Sequence, residues 1–173
     1  MTGEEKSLLR QLDRILRLRN VREQIRPIIS RVQAELAQKT SALMMWEPIP
    51  LEIFPDRLPA GIRSSWIFVL RAGADTGAER HPNSHQRMMS MRGSGNMRTE
   101  CDGEWRSNFL VSDPITPPER RWISIPQNAW HRPVIGKESD WVVVSFHTVP
   151  AEELIEERLD RKSETRQMRY LDS

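Results

Sequence analysis

Residues 73–95 read GADTGAERHPNSHQRMMSMRGSG, and the spacing of their polar side chains decides which fold is expected. Five residues separate Gly73 from Glu79, and one residue separates Glu79 from His81. Four further residues lead to Gln86, and six more lead to a glycine. A carboxylate, an imidazole and an amide thus recur at short intervals between glycines, which favour turns. This pattern predicts polar side chains gathered at the edges of neighbouring strands.

A second stretch, residues 126–131, reads PQNAWH and adds another histidine. Together the two stretches resemble the two motifs of the cupin family. The first family motif is Gly, five residues, His, one, His, three or four, Glu, six and Gly, and residues 73–93 match its spacing throughout. In the second motif Pro126 and His131 keep their places, and Asn128 stands at a glycine position. Asparagine tolerates the left-handed conformation that a tight turn requires there.

The resemblance implies an antiparallel β-barrel of the jelly-roll type over roughly residues 46–149. It also implies a divalent transition metal in the barrel. The four metal positions of the family correspond here to Glu79, His81, Gln86 and His131, so two of the four ligand types are changed. The implied chemistry is oxygen insertion or C–C cleavage at Fe(II), followed by metal-assisted isomerase or lyase chemistry.

The altered residues still suit a metal ion. Residues two apart on a strand face the same way, so Glu79 and His81 are expected to point together into the barrel. With His131 they supply two imidazoles and one carboxylate, a set that suits Fe(II) and that Mn, Ni, Co and Zn also accept. Gln86 supplies an amide oxygen, which either binds the ion weakly or hydrogen-bonds a bound water or substrate.

His85 is the competing metal ligand. It neighbours Gln86, so on a regular strand only one of the two side chains can face the cavity. A register slip or a bulge at residues 82–84 would exchange them. Trp130, which precedes the histidine of the second motif, is expected to line a substrate pocket. We interpret His147, late in a predicted strand, as structural.

The remainder of the chain divides by its texture. Short runs rich in β-branched and aromatic residues, separated by turn residues, predict a mostly β, antiparallel barrel over residues 41–149. The runs lie at 51–54, 64–72, 86–92, 105–111, 121–125 and 141–149. After them, Pro150 is followed by acidic residues, which predicts a short C-terminal helix and a polar tail over residues 150–173.

Residues 1–40 are predicted to form a helical arm. Apolar residues recur every three or four positions from Leu8 to Leu36, and Asn20 and Pro27 predict either two helices or one kinked helix. The apolar stripe needs a partner, either the barrel or the same stripe of a second subunit, so we expect a homodimer. Nine basic and five acidic side chains are interleaved along the arm, which favours a solvated helix face over nucleic-acid binding.

The composition excludes several classes of protein. With 173 residues, of which 38% are hydrophobic and 29% charged, the chain suits one domain with a helical appendage. No run approaches the roughly 18 apolar residues of a membrane-spanning helix, and the first residues lack a signal-peptide pattern, so we expect a cytoplasmic protein. Cys101 is the only cysteine, which excludes an internal disulfide and a cysteine-based zinc cluster.

These observations leave three functions open. The first is a metal-dependent enzyme that acts on a small, oxygen-bearing organic substrate. The second is a non-catalytic module that binds a small ligand in the barrel without metal. The third is a dimeric scaffold whose basic arm binds nucleic acid or protein.

Overall fold

The computed structural model describes residues 2–54, 58–159 and 165–169. Within these ranges the chain forms two α-helices, α1 (Gly3–Arg17) and α2 (Arg19–Gln38), and twelve strands. The strands are β1 (Met44–Pro48), β2 (Ser64–Leu70), β3 (Glu79–Arg80), β4 (Gln86–Arg92), β5 (Ser94–Cys101), β6 (Glu104–Arg106), β7 (Phe109–Val111), β8 (Trp122–Ile125), β9 (His131–Ile135), β10 (Trp141–His147), β11 (Ile155–Leu159) and β12 (Thr165–Arg169). In the described ranges neither helix is long and apolar enough to cross a membrane.

The strands form two antiparallel sheets, which confirms the prediction of a mostly β, antiparallel fold. The first sheet has the order β1-β2-β10-β4-β8. The second has the order β12-β11-β3-β9-β5-β6, with β7 paired to β5. One apolar core joins side chains of both sheets, so the sheets pack face to face as a sandwich. This inner core includes Trp66, Phe68, Met88, Ile125 and Trp141 of the first sheet and Met97, Leu110 and Ile135 on the opposite side.

The first sheet is buried on both of its faces. Every residue of β2 and of β10 is buried. Along β10, Trp141 and Val143 belong to the inner core, whereas Val142 and Val144 belong to the core beneath the helices. Because neighbouring residues on a strand point to opposite faces, a strand covered on both sides carries an unbroken apolar run.

The apolar stripe of the helical arm covers the outer face of the first sheet. Leu12 and Leu16 of α1 and Ile25 and Ile29 of α2 are buried in one core with residues of that sheet. Of the two partners expected for the stripe, the sheet is therefore the one that these side chains contact. The homodimer stays a prediction.

The boundary between the helices lies at Leu18 rather than at Asn20 or Pro27. Leu18 has a ψ of 134°, which ends α1, and α2 then continues through Pro27. A proline in a helix interior costs about 3 kcal/mol. The buried isoleucines on either side of Pro27 pack against the sheet and offset this cost.

Asp13 fastens α1 to the edge of the first sheet. Its carboxylate accepts hydrogen bonds from Arg121 at 2.6 Å, from the indole of Trp122 at 3.0 Å and from Arg17 at 2.9 Å. Burial alone would raise the pKa of Asp13, but the hydrogen bonds and positive charges outweigh it and lower the pKa below its ordinary value of 3.8.

Arg71 fastens the other end of the arm. Its guanidinium donates hydrogen bonds to the carbonyl oxygens of Leu36 at 2.6 Å, Lys39 at 3.0 Å and Ala42 at 2.8 Å. The last carbonyl groups of a helix have no partner within the helix, and a cation placed there also interacts favourably with the helix dipole. Arg71 therefore caps α2 from the end of β2.

The predicted C-terminal helix is wrong. In the described part of residues 150–173, the acidic start forms only one 3₁₀ turn, Ala151–Glu153, and the chain then forms β11 and β12. The physical reason is cross-strand pairing, because two side chains of β11 form ion pairs with Arg80 and Glu79 of β3. These tertiary contacts outweigh the local helix signal. Apart from β12, the predicted polar tail lies outside the described residues.

The strand predicted at residues 51–54 is also wrong. Leu51–Ile53 forms a 3₁₀ turn that follows Pro50. Proline has no N–H to donate to a neighbouring strand, which favours a turn at this position.

Gly95 lies where the two sheets approach each other most closely, because a Cβ atom there would lie 2.2 Å from the Trp141 ring. We expect Gly95→Ala to lower the free energy of unfolding by about 3 kcal/mol, since the buried indole has no room to move. Urea unfolding measures this loss. Gly136→Ala is the control, because a Cβ atom at Gly136 meets nothing within 4 Å. Equal losses in the two variants would contradict the close approach.

Replacing Asp13 by Asn should lower the free energy of unfolding at neutral pH by about 3 kcal/mol, because the buried Arg121 loses its counter-charge. The lowered pKa of Asp13 stabilises the fold above pH 3.8, and this contribution disappears as the pH falls through the folded-state pKa. The two proteins should therefore converge in acid. Urea unfolding across this pH range tests the effect, with Glu35→Gln, at an exposed ion pair, as a control that changes little. Curves for wild type and Asp13→Asn that stay parallel down to acid pH would refute it.

Candidate metal centre

Three of the residues predicted from the sequence lie together between the sheets. Glu79 in β3 is the cross-strand partner of His131 in β9, and His81 follows two residues after Glu79. One carboxylate oxygen and one nitrogen from each ring lie within 4.8 Å of one another. All three side chains are buried, and His131 has no exposed surface. We call these three residues the Glu79/His81/His131 group.

Backbone carbonyl groups orient both imidazole rings. Nδ1 of His81 lies 3.0 Å from the carbonyl oxygen of Ile155, and Nδ1 of His131 lies 3.1 Å from that of Ala129. A carbonyl oxygen only accepts hydrogen bonds, so in each neutral ring Nδ1 carries the proton and Nε2 carries the lone pair. This is the tautomer in which Nε2 can bind a metal ion.

The strongest sign of a cation site is the contact between His131 and Glu79. Nε2 of His131 lies 3.4 Å from Oε1 of Glu79, and it is buried with no hydrogen-bond partner among the described residues. With its proton on Nδ1, the ring presents a lone pair to a carboxylate oxygen, so two acceptors face each other. Such a buried arrangement is unfavourable unless a positive charge lies between the two atoms. The group therefore fits a divalent cation.

The second oxygen of Glu79 is held from the C-terminal strand. Nη2 of Arg158, in β11, lies 2.6 Å from Oε2 of Glu79. Burial would raise the pKa of Glu79, but the His131 ring beside it and the charge of Arg158 outweigh burial and lower the pKa to about 2. The carboxylate is thus ionised and offers Oε1 toward the histidines.

His81 is neutral for a different reason. Its ring is enclosed by protein, and burial together with the neighbouring His131 ring lowers the pKa of His81 to about 4. A metal ion binds the neutral form of imidazole, so at neutral pH His81 is already in the form that a ligand requires.

Gln86 and His147 lie on the first sheet as cross-strand neighbours. The His147 ring is 5.1 Å from the His81 ring, and serine hydroxyls contact both of its nitrogens, Ser84 at 3.3 Å and Ser145 at 2.9 Å. Oε1 of Gln86 is buried, and no partner for it occurs in the described part of the chain. Sequence reasoning treated His147 as structural, although it lies an even number of positions from the inward-facing Trp141.

His85 does not join the group. Its Nε2 lies 2.7 Å from the hydroxyl of Ser124 and 3.8 Å from Oε1 of Glu5 in α1. Arg87, two residues further along, also binds Glu5, at 2.7 and 3.0 Å. His85 and Arg87 therefore share the face of β4 that lies toward the helix, while Gln86 points the other way.

Trp130 is likewise not brought to the group. The guanidinium of Arg80 lies 4.6 Å from the centre of its ring. Arg80 follows Glu79 directly in β3, so the two side chains point to opposite faces of the strand. The structure thus places Trp130 against the outer face of the second sheet.

Comparison with known proteins extends to the fold. No family model and no curated protein matches the chain. Among solved structures, the coconut allergen cocosin is 19% identical, with a TM-score of 0.52 over 69% of this chain and 29% of its own. Procruciferin, an 11S globulin from Brassica napus, is 13% identical, with a TM-score of 0.53 over 71% of this chain and 30% of its own. Pumpkin seed globulin is 19% identical, with a TM-score of 0.51 over 67% of this chain and 28% of its own.

These globulins have the cupin fold, and so does this chain. The fold expected from the motif spacing is therefore confirmed as a cupin-like sandwich of two sheets. The chain spans less than a third of the length of the globulins that it matches. At these identities the likeness concerns the fold alone.

Gln86 provides a test of whether the centre retains a polar group at the expense of stability. We expect Gln86→Met to raise the free energy of unfolding of the metal-free protein by about 1 kcal/mol, because it removes a buried oxygen that lacks a partner. Urea unfolding in the presence of EDTA measures the gain. Gln127→Met, at an exposed position, should give no gain. A loss of stability in Gln86→Met would contradict the assignment of an unpartnered oxygen.

Proposed function

We propose that the protein binds one divalent transition metal ion through Glu79, His81 and His131 and acts on a small organic substrate that carries oxygen atoms. The observation that supports this most directly is the buried Nε2 of His131 facing Oε1 of Glu79. Two imidazoles and one carboxylate leave open coordination positions on Fe(II), and Mn, Ni, Co and Zn accept the same set. When bound, such an ion supplies a Lewis acid that polarises a substrate oxygen, and as Fe(II) it also supports oxidation.

The side chains of this protein prepare the centre in distinct ways. The carbonyl groups of Ile155 and Ala129 keep the lone pairs of the two imidazoles available. Glu79 contributes the negative charge, and Gln86 offers a neutral oxygen that either binds the ion or accepts a hydrogen bond from a bound water or substrate. The surrounding inner core excludes bulk water, which strengthens electrostatic interactions within the centre.

A neighbouring cavity supports the choice of a small substrate. The cavity has a volume of about 770 Å³, and Thr99 and Ala129 are among the residues that line it. Thr99 is the cross-strand partner of His131, and the carbonyl oxygen of Ala129 holds the His131 ring. Leu110 and Ile123 add apolar surface to its wall. The cavity therefore offers room for a small organic molecule beside one of the proposed ligands.

A metal-free module that binds a small ligand is the second candidate. Arg158 neutralises Glu79 through the 2.6 Å ion pair, so a counter-charge for the buried carboxylate is already present in the protein. The same cavity would then hold the ligand. We do not propose the helical arm as the binding element, because its apolar face packs on the first sheet.

The choice between the two candidates is made by metal analysis. Protein purified without added metal should contain, or take up from Fe(II), Mn(II), Ni(II) or Zn(II), about one equivalent of metal. Glu79→Gln should weaken binding by at least about 10-fold, since it removes the charged ligand, whereas the matched variant His85→Gln should bind as the wild type does. Folding of each variant is verified by urea unfolding. Wild type that stays metal-free with all four ions would refute the proposal and favour the metal-free module.

A further inference from the structure

Two arginine–glutamate pairs join β11 to β3. The strands pair through only two rungs, Glu157 with Arg80 and Arg158 with Glu79. Each rung carries an ion pair, at 2.7 Å for Arg80 with Glu157 and at 2.6 Å for Arg158 with Glu79. Adjacent rungs point to opposite faces, so one pair lies on the outside of the sheet and the other reaches the Glu79/His81/His131 group.

The inward arginine is an unusual neighbour for a cation site. A guanidinium next to a carboxylate ligand repels a bound cation, because both are positive and the surroundings are poorly screened. Several contacts hold Arg158 in place, since it also bonds Glu156 and donates to the carbonyl oxygen of Thr76 at 3.1 Å. The repulsion is therefore built into the centre, and a bound anion would relieve it.

The charges of the described residues indicate which anion fits. Glu79, Glu156 and Arg158 are the charged side chains that meet at the inward rung, and together they carry one net negative charge. A divalent ion held with neutral imidazoles changes this total to one net positive charge. A ligand with a single negative charge restores neutrality, which a buried site favours.

Geometry restricts the anion further. Glu79 divides its two oxygens between the histidines and Arg158, so a single carboxylate separates the guanidinium from the histidine nitrogens. The side chain of Arg158 is 28% exposed, so a ligand that enters from solvent can reach it. A carboxylate has two oxygens, and a planar guanidinium binds such a group well.

We infer that Arg158 binds the carboxylate group of a small organic acid at this centre, an inference that rests on the proposed metal-binding function. Arg158 is then a substrate-binding residue that selects singly charged acids over neutral molecules. Arg80, on the neighbouring rung, has the same strand partner and the same kind of ion pair but faces outward. It is the matched control for every effect ascribed to Arg158.

The experiment uses the full chain loaded with Co(II), whose visible spectrum responds to changes in its ligands. Acetate is titrated into wild type, Arg158→Gln, Arg158→Lys and Arg80→Gln, with acetamide as the neutral counterpart and inorganic phosphate as a second anion. Acetate should alter the wild-type spectrum, and acetamide should not. Arg158→Gln should weaken acetate binding at least about 10-fold, while Arg80→Gln should match the wild type. Co(II) affinity of Arg158→Gln should equal or exceed that of the wild type.

The outcomes separate this inference from the proposed function. Acetate binding that is equal in wild type and Arg158→Gln, or absent from Co(II)-loaded wild type, overturns the inference and leaves metal binding intact. Phosphate that binds more tightly than acetate overturns the selection of a singly charged acid. Wild type that fails to bind Co(II) overturns both. If Arg158→Gln does not fold, Arg158→Lys keeps the charge, and unchanged acetate affinity in that variant overturns the role of the planar guanidinium.

Discussion

The burial of the first sheet on both faces is the constraint on which the rest of the structure depends. A sheet with apolar side chains on both sides needs two covers, and here the helical arm supplies one and the second sheet supplies the other. The arm is held by Asp13 at one end and by Arg71 at the other. The second sheet in turn carries Glu79 and His131, so the packing that covers the inner face also brings the polar group into the core.

Polar groups in such a core are stable only when each has a partner. Ile155 and Ala129 provide carbonyl groups for the two imidazoles, and Arg158 provides a charge for Glu79. His131 Nε2 and Gln86 Oε1 are exceptions within the described residues, and both atoms are buried close to the group or on the strand that faces it. A protein that maintains such exceptions loses some stability, and a ligand that fills the site restores it.

The C-terminal strand links fold and chemistry. β11 supplies the carbonyl group that orients His81 and the guanidinium that holds Glu79, although it pairs with β3 through only two residues. Sequence reasoning assigned this segment to a helix because Pro150 and the following acidic residues match a helix start. Glutamate and arginine have no strong preference for strands, and it is the ion pairs across to β3 that make this segment a strand. The contribution of Arg158 therefore depends on a partner 79 residues away in the chain.

Sequence alone determined the local spacing of this protein. The interval from Glu79 to His81 places both on one side of the chain, and the unbroken apolar runs of β2 and β10 predict buried strands. Only the tertiary structure decided which distant residues meet. Gln86 faces inward and His85 faces α1 because strand pairing sets the register of β4, and a shift of one residue would exchange them. The inward placement of His147 and the contact of Arg158 with Glu79 follow in the same way, because register and strand order arise from long-range packing that no local pattern contains.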